Sequence, residues 1–266
     1  MSRAAAGQYY GDFVAWSGGC LLIGEGEGSI APHAHYSIQI AFGFPSGLRV
    51  QMGQGPWTSC GAAIIPSRAV HSIDTNEAEW GGVLFVEPET PEGRALTTRL
   101  SGEMELLSVT DATELTGNLE RAWRVEQDRH LVEWVCREFV GKLSDTAARN
   151  PSDPRVLAAI DYIRKRIDTP ISLPAVAKVA HLSPGRFRHL FVEETGMPLR
   201  TYVLWRRLLQ VWTLLMQGKS LSEAAHAVGF ADSAHLSRTS RTMFGTTPSA
   251  LQMSGPLSRL ERKLPY

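Results

Sequence analysis

Three histidines in the first third of the chain stand at spacings with chemical consequences. His33-Ala34-His35 leads into the run Ser37-Ile38-Gln39-Ile40-Ala41-Phe42, and in a strand residues i and i+2 point to the same side. His33 and His35 therefore share a face. Gln39 follows four residues later, and His71 comes after Pro66 at the next suitable strand. Three imidazoles on one wall can hold Zn²⁺, Fe²⁺ or another divalent ion, with Gln39 as a neutral and poorer ligand. The same side chains can instead line a pocket for a small-molecule effector, as hydrogen-bond donors and acceptors. Arg68 beside His71 would offer an anionic effector a cation at the pocket mouth, unless it is an ordinary surface arginine at a turn.

A second set of side chains lies beyond residue 180. Gly185, Arg186, Arg188 and His189 occupy one open side of a short helical segment, and Ser233, Ala234, Ser237 and Arg238 do the same in another. Arginine can bond guanine through two parallel N–H groups, and histidine or serine can meet base edges or phosphates. Three cysteines, Cys20, Cys60 and Cys136, have no metal-ligand spacing and read as reduced thiols in a cytoplasmic protein. The chain has no glycine-rich phosphate loop, nucleophile elbow or catalytic carboxylate pair, so a catalytic role is not expected.

The elements that must position these groups differ between the two halves. Up to about residue 90, short apolar or alternating runs are broken by Gly and Pro, which suggests a sandwich or barrel. From about 92 the periodicity turns helical, and 118–143 reads as one helix carrying Leu119, Trp123, Leu131 and Trp134. Its apolar residues point to more than one side, as expected of a dimer contact or of a lid on the barrel. Residues 146–154, small, polar and proline-containing, form the linker. They separate an N-terminal effector-binding domain (1–145) from a helical domain (155–254) and a C-terminal tail (255–266).

The helical part repeats. Leu173, Ala177 and Leu182 recur as Leu221, Ala225 and Phe230, and Phe187 and Gly196 recur as Leu236 and Gly245. Apolar positions persist while polar ones change, so one supersecondary unit is used twice. In each copy a short helix carries a small residue at the crossing point, and a tight turn leads to a second helix. Ser183-Pro184 opens that helix in the first copy and Asp232 caps it in the second. This is the anatomy of a helix-turn-helix, whose second helix enters the major groove. Leu199 to Met216 reads as the helix that sets the separation of the two readers.

The zero net charge hides an asymmetry. Residues 155–266 carry 16 Lys and Arg against 7 Asp and Glu, and residues 1–154 are acidic by the same margin. A polyanion such as double-stranded DNA fits the first half of that split and is kept away from the second. No apolar run of about 18 residues occurs, so a membrane partner is not expected.

Residues 155–253 resemble the DNA-binding domain of the AraC/XylS family of transcription regulators. The resemblance rests on Leu173, Ala177, Leu182-Ser183-Pro184, Phe187, Leu190-Phe191, Gly196, Pro198, Tyr202, Arg206-Arg207-Leu208 and Leu215. It continues through Ser222-Glu223-Ala224-Ala225, Val228-Gly229-Phe230-Ala231-Asp232, His235-Leu236-Ser237-Arg238, Arg241, Phe244-Gly245 and Pro248. Leu236 and Ser240 stand where the family usually has Phe, and Leu251-Gln252 replaces its usual Tyr-Arg ending. The resemblance implies seven helices, two major-groove readers and a homodimer on paired half-sites, with RNA polymerase as a further partner of an activator. It also implies an N-terminal cupin-like β-barrel, and His33, His35, Gln39 and His71 are similar to the cupin metal-binding pattern, with Gln39 where Glu is usual. The expected fold class is thus α+β in two domains. The expected function is a sequence-specific regulator controlled by an effector or metal. The alternative is a metal-dependent cupin enzyme with a helical appendage.

Overall fold

The computed structural model of the chain describes residues 9–26, 28–144 and 153–261. The strand-rich half contains β1 (Tyr9–Trp16), β2 (Gly19–Gly26), β3 (Ser29–His33), β4 (Ile38–Pro45), β5 (Leu48–Met52), β6 (Trp57–Cys60), β7 (Ala62–Ile65), β8 (His71–Asp74) and β9 (Ala78–Val86). β10 (Glu105–Leu107) and β11 (Leu251–Met253) complete two sheets, ordered β10-β7-β4-β9-β2-β1-β11 and β3-β8-β5-β6. No closed barrel forms among the described residues. Two sheets face one another across Ala41, Leu48, Val50, Ala63, Ile65 and Ile73, all buried.

Strand chemistry follows position in the sheet. β4 lies between β7 and β9, both antiparallel to it, and its first six residues are all buried. With both faces covered, it reads as a continuous apolar run rather than an alternation. β5, in the smaller sheet, buries Leu48 and Val50 while Arg49 between them is exposed.

α1 (Pro91–Leu100), α2 (Val109–Glu120) and α3 (Arg129–Leu143) pack on the larger sheet. The single helix expected over 118–143 is two. A π-helical turn at Arg121–Val125 and a positive φ of 52° at Gln127 break it, and Asp128 caps α3 by accepting from the amides of His130 and Leu131. This bend turns Leu119 and Trp123 into the core, leaves Leu131 half-buried, and leaves Trp134 of the four 56% exposed.

The expected linker, 146–154, lies outside the described residues up to 152. From Pro154 on come α4 (Pro154–Arg164), α5 (Leu173–Val179), α6 (Pro184–Thr195), α7 (Leu199–Met216), α8 (Leu221–Ala227), α9 (Ser233–Phe244) and α10 (Pro256–Glu261). No helix among the described residues is long and apolar enough to cross a membrane.

The two halves share a core. Trp205, Leu208 and Trp212 of α7 join one buried cluster with Phe13, Leu21 and Phe85 of the larger sheet. β11 extends that sheet by pairing parallel to β1, Tyr9 with Leu251 through Gly11 with Met253. Residues 256–261, expected as tail, form α10 instead, held by the buried carboxylate of Asp12. It accepts from the amides of Leu257 and Ser258, from the Ser258 hydroxyl, and from Trp123 Nε1 at 2.7 Å. Nearby, buried Glu87 pairs with Arg164 of α4 and Arg206 of α7.

Candidate nucleic-acid interface and ligand cavity

The two helical repeats are built on the same plan. Ser172 caps α5 by accepting from the Ala175 amide, and Ser220 and Glu223 form a reciprocal capping box on α8. The turn after each first helix is closed by the same backbone bond. The Leu182 amide donates to Ala177 carbonyl in the first copy, and the Phe230 amide to Ala225 carbonyl in the second, both at 3.0 Å. The alanines at these crossing points, 177 and 225, are buried. Ser183 then caps α6 and Asp232 caps α9. Gly196 (φ 74°) and Gly245 (φ 68°) end the two second helices in the left-handed conformation that a Cβ disfavours.

Burial sorts the faces of these second helices. Phe187 and Phe191 of α6, and Leu236, Ser240, Met243 and Phe244 of α9, point inward. Gly185, Arg186, Arg188 and His189 are exposed, as are Ala234 and Arg238, and Ser233 and Ser237 are half-buried beside them. Where the family usually has Phe, Leu236 and Ser240 are fully buried, and the Ser240 hydroxyl donates to the Thr246 carbonyl. Arg207, part-buried, is committed to bonds within the protein. Its guanidinium donates to the carbonyls of Ile167, Thr169 and Gly229, bracing the second turn against the loop after α4.

The histidines come together. The rings of His33, His35 and His71 lie 4.3 to 5.6 Å apart, centroid to centroid, and one nitrogen from each falls within 4.8 Å of the others. Each Nδ1 sits 2.9 Å from a carbonyl two residues away, that of Ala31, Ser37 and Ala69 respectively. Because a carbonyl only accepts, each Nδ1 carries the proton and each Nε2 keeps its lone pair. His71 Nε2 is buried without a hydrogen-bond partner. His35 Nε2 meets the Gln39 side-chain amide, 2.6 Å from Oε1, and with the proton on Nδ1 the two bond only when the amide turns its N–H to the ring. Burial, reinforced by the neighbouring imidazoles, lowers His33 to about 4 and His35 to about 3, and burial lowers His71 as well. The cluster is therefore neutral at pH 7, the state a metal or a hydrogen-bonding ligand requires.

Beside the cluster, a cavity of about 90 Å³ lies between the two sheets. His33 and Gln39 line it, while His35 and His71 stand behind them. Arg68 is not at the cavity. Its guanidinium lies over the Tyr36 ring, 5.1 Å from the centroid, and close to Gly196 at the end of α6. Sequence reasoning missed the part of the wall formed by Phe244 and Leu251–Met253, which arrive from the far end of the chain. It also missed Glu87 and Glu89. Their spacing at a strand end was visible, but not their burial.

Paired helix-turn-helix units with exposed basic second helices define a DNA-binding domain. Residues 176–254 match a family model described as a helix-turn-helix domain. The chain is 34% identical over 116 residues to the uncharacterized HTH-type transcriptional regulator YijO of Escherichia coli K12, covering 43% of this chain and 40% of that protein. It is 31% identical over 101 residues to the arabinose operon regulatory protein of the same organism, covering 37% and 35%. The chain thus spans no more than two fifths of the first curated relatives it matches. In this C-terminal region the chain is similar to AraC-type transcription regulators. The fold of nearly the whole chain is similar to ToxT of Vibrio cholerae strain SCE256. An apo variant gives a TM-score of 0.57 at 11% identity, covering 89% of this chain and 97% of that one. The same protein with an unsaturated fatty acid bound gives 0.54 at 11%, covering 93% and 95%.

Proposed function

We propose that the chain is a sequence-specific DNA-binding transcription regulator whose strand-rich half binds a small-molecule effector and controls how two readers meet DNA. One observation carries this reading. Each second helix exposes its polar face and ends, at Gly196 or Gly245, against the N-terminal half: Arg68 at the first, Ile30 and His33 at the second. Arg188 and Arg238 serve as base readers, with Gly185, Arg186, His189, Ser233, Ala234 and Ser237 forming the groove-facing surface around them. Double-stranded DNA is the macromolecular partner, a second copy of the chain completes a paired site, and RNA polymerase is a further partner if the protein activates. That ToxT is seen with a bound fatty acid supports an effector in this fold.

The histidine cluster, the cupin-like feature of the strand-rich half, is the candidate metal site. Three neutral imidazoles with oriented rings suit a divalent ion, and Gln39 would have to release His35 to admit it. An effector contact by His33 and Gln39, which line the cavity, needs no such rearrangement and is the reading adopted.

Enrichment of duplexes from a random library by the full chain tests the function. A discrete sequence, bound with affinity that falls steeply as salt rises, is expected from phosphate contacts plus base readout. Recovery of unrelated sequences, or none, would contradict it.

A further inference from the structure

We propose that the cavity between the sheets takes an uncharged, largely apolar molecule, and that a ligand larger than a benzene ring enters by pushing back the wall formed by Phe244 and Leu251–Met253, so moving the second reader. This deepens the regulator reading above and rests on it.

Charge comes first. Leu22, Ile23, Phe42, Ile73 and Phe85 dominate the lining, and among the described residues neither Lys nor Arg reaches it. Among the described lining residues the one carboxylate, Asp12, is committed to Trp123, Leu257 and Ser258. An anion here would meet that carboxylate, with no Lys or Arg among the described lining residues to offset it. An ionised carboxylate buried here would have no partner, which is the costliest way to bury a charge. A hydroxyl, carbonyl or ether has polar residues to meet, since Tyr9, Thr75 and Gln39 line the cavity.

Size comes second. Ligand pockets usually enclose several hundred cubic ångströms, and an engineered cavity of about 150 Å³ is what admits benzene. At about 90 Å³ the space is smaller than that, and a larger ligand fits fully inside only if a wall yields. Three sides are strands locked in ladders, such as β4 on β9 and β2 on β1. The fourth is the weakest. β11 pairs with β1 over three residues at the sheet edge, and it is reached from α9 by Gly245 and a 3₁₀ turn at Pro248–Ala250. Phe244 is the last residue of α9, so displacing its ring moves the helix that carries Ser237 and Arg238.

The test uses the full chain at pH 7.5 with 1-octanol and octanoate, two probes that share a chain and differ in charge. Calorimetry is expected to show saturable octanol binding at least tenfold tighter than octanoate. Saturating octanol should change duplex affinity at least threefold. Phe244→Leu, which thins the movable wall, should bind octanol more tightly than the parent. Val83→Trp, which fills the cavity from β9, should bind none and keep its DNA affinity. Octanoate binding as tightly as octanol, or octanol binding without effect on DNA affinity, would overturn the proposal. So would the absence of saturable octanol binding in a chain that still binds DNA. Octanol binding by a chain that selects no DNA sequence would instead leave the cavity assignment standing and remove the regulator reading.

Discussion

Phe244, the last residue of α9, meets Phe85 of β9 edge to face with ring centroids 5.3 Å apart, and stacks on Trp205 of α7 at 5.2 Å. One ring thus joins the second reader, the helix between the readers, and the strand that lines the cavity. Aromatic pairs of this geometry add about 0.5–1.5 kcal/mol beyond their buried area. Phe244→Ala is expected to cost about 3–5 kcal/mol of stability, as buried Phe-to-Ala changes do. It should also weaken the second half of the DNA footprint more than the first. Chemical denaturation and footprinting check both; an equal loss in the two halves would detach the ring from the second reader.

Gly245 offers a sharper version of the same test. Its φ is 68°, and a Cβ there would lie 2.6 Å from both His33 Nδ1 and Ile30 Cγ2. Gly245→Ala should destabilise by about 1–2 kcal/mol from backbone conformation alone, with the contact adding to it. Gly185→Ala is the control, since nothing lies within 4 Å of its would-be Cβ and it sits in the first turn of α6. Its stability should be unchanged or raised by up to about 1 kcal/mol. Thermal unfolding of the two variants ranks them, and equal melting temperatures would contradict the packing at Gly245.

The junction between the halves should titrate. Glu89, buried next to Glu87, is pushed up to about 8 by burial and by its neighbour's charge, and it accepts from the Tyr202 hydroxyl at 3.2 Å. A carboxyl protonated in the native state and ionised in the unfolded one makes stability fall as pH rises from about 4.5 to about 8. The histidines act in the other direction. They are neutral when folded and protonate when unfolded, so stability falls as pH drops below about 6.5 toward about 4. Glu89→Gln should therefore flatten the alkaline limb and leave the acid limb intact. Denaturation midpoints measured from pH 5 to 8.5 decide it, and an unchanged alkaline limb would show Glu89 ionised in the native protein.

His33→Ala with His35→Ala should leave DNA binding in place, because the readers keep their caps and cores. The response to a cavity ligand should disappear. Elemental analysis of the parent protein separates the two readings of the cluster: stoichiometric zinc or iron would establish a metal site, and its absence the hydrogen-bonding one. A double variant that still responds would return these histidines to packing.

Both helix-turn-helix units were legible because local chemistry defines them. Ser183-Pro184, Asp232, the two alanines and the two glycines act within a few residues of themselves, and the structure uses each where its spacing implied. The strands were legible from short apolar or alternating runs, and His33, His35 and His71 do converge, although His35 lies beyond the end of β3 and not on a shared strand face. What escaped the sequence depends on contacts far apart in the chain. Leu251-Gln252 looked like a weakened domain ending, yet it is part of a sheet-edge strand whose partner begins at Tyr9. Trp123 looked like part of a free helix face, but the bend at Gln127 and the bond to Asp12 take it inside. Arg68 reads as a pocket arginine by proximity to His71, whereas its positive φ of 66° belongs to a turn that sends it toward Gly196.

The central claim is that α6 and α9 each read bases. It is tested most directly by footprinting the full chain on its selected duplex, alongside Arg188→Ala and Arg238→Ala. The account predicts two protected patches on one face of the DNA, about one helical turn apart. Each substitution should cost about 1–3 kcal/mol and relax sequence preference in its own patch alone. A single patch, or an equal loss of affinity for every sequence in either variant, would contradict it.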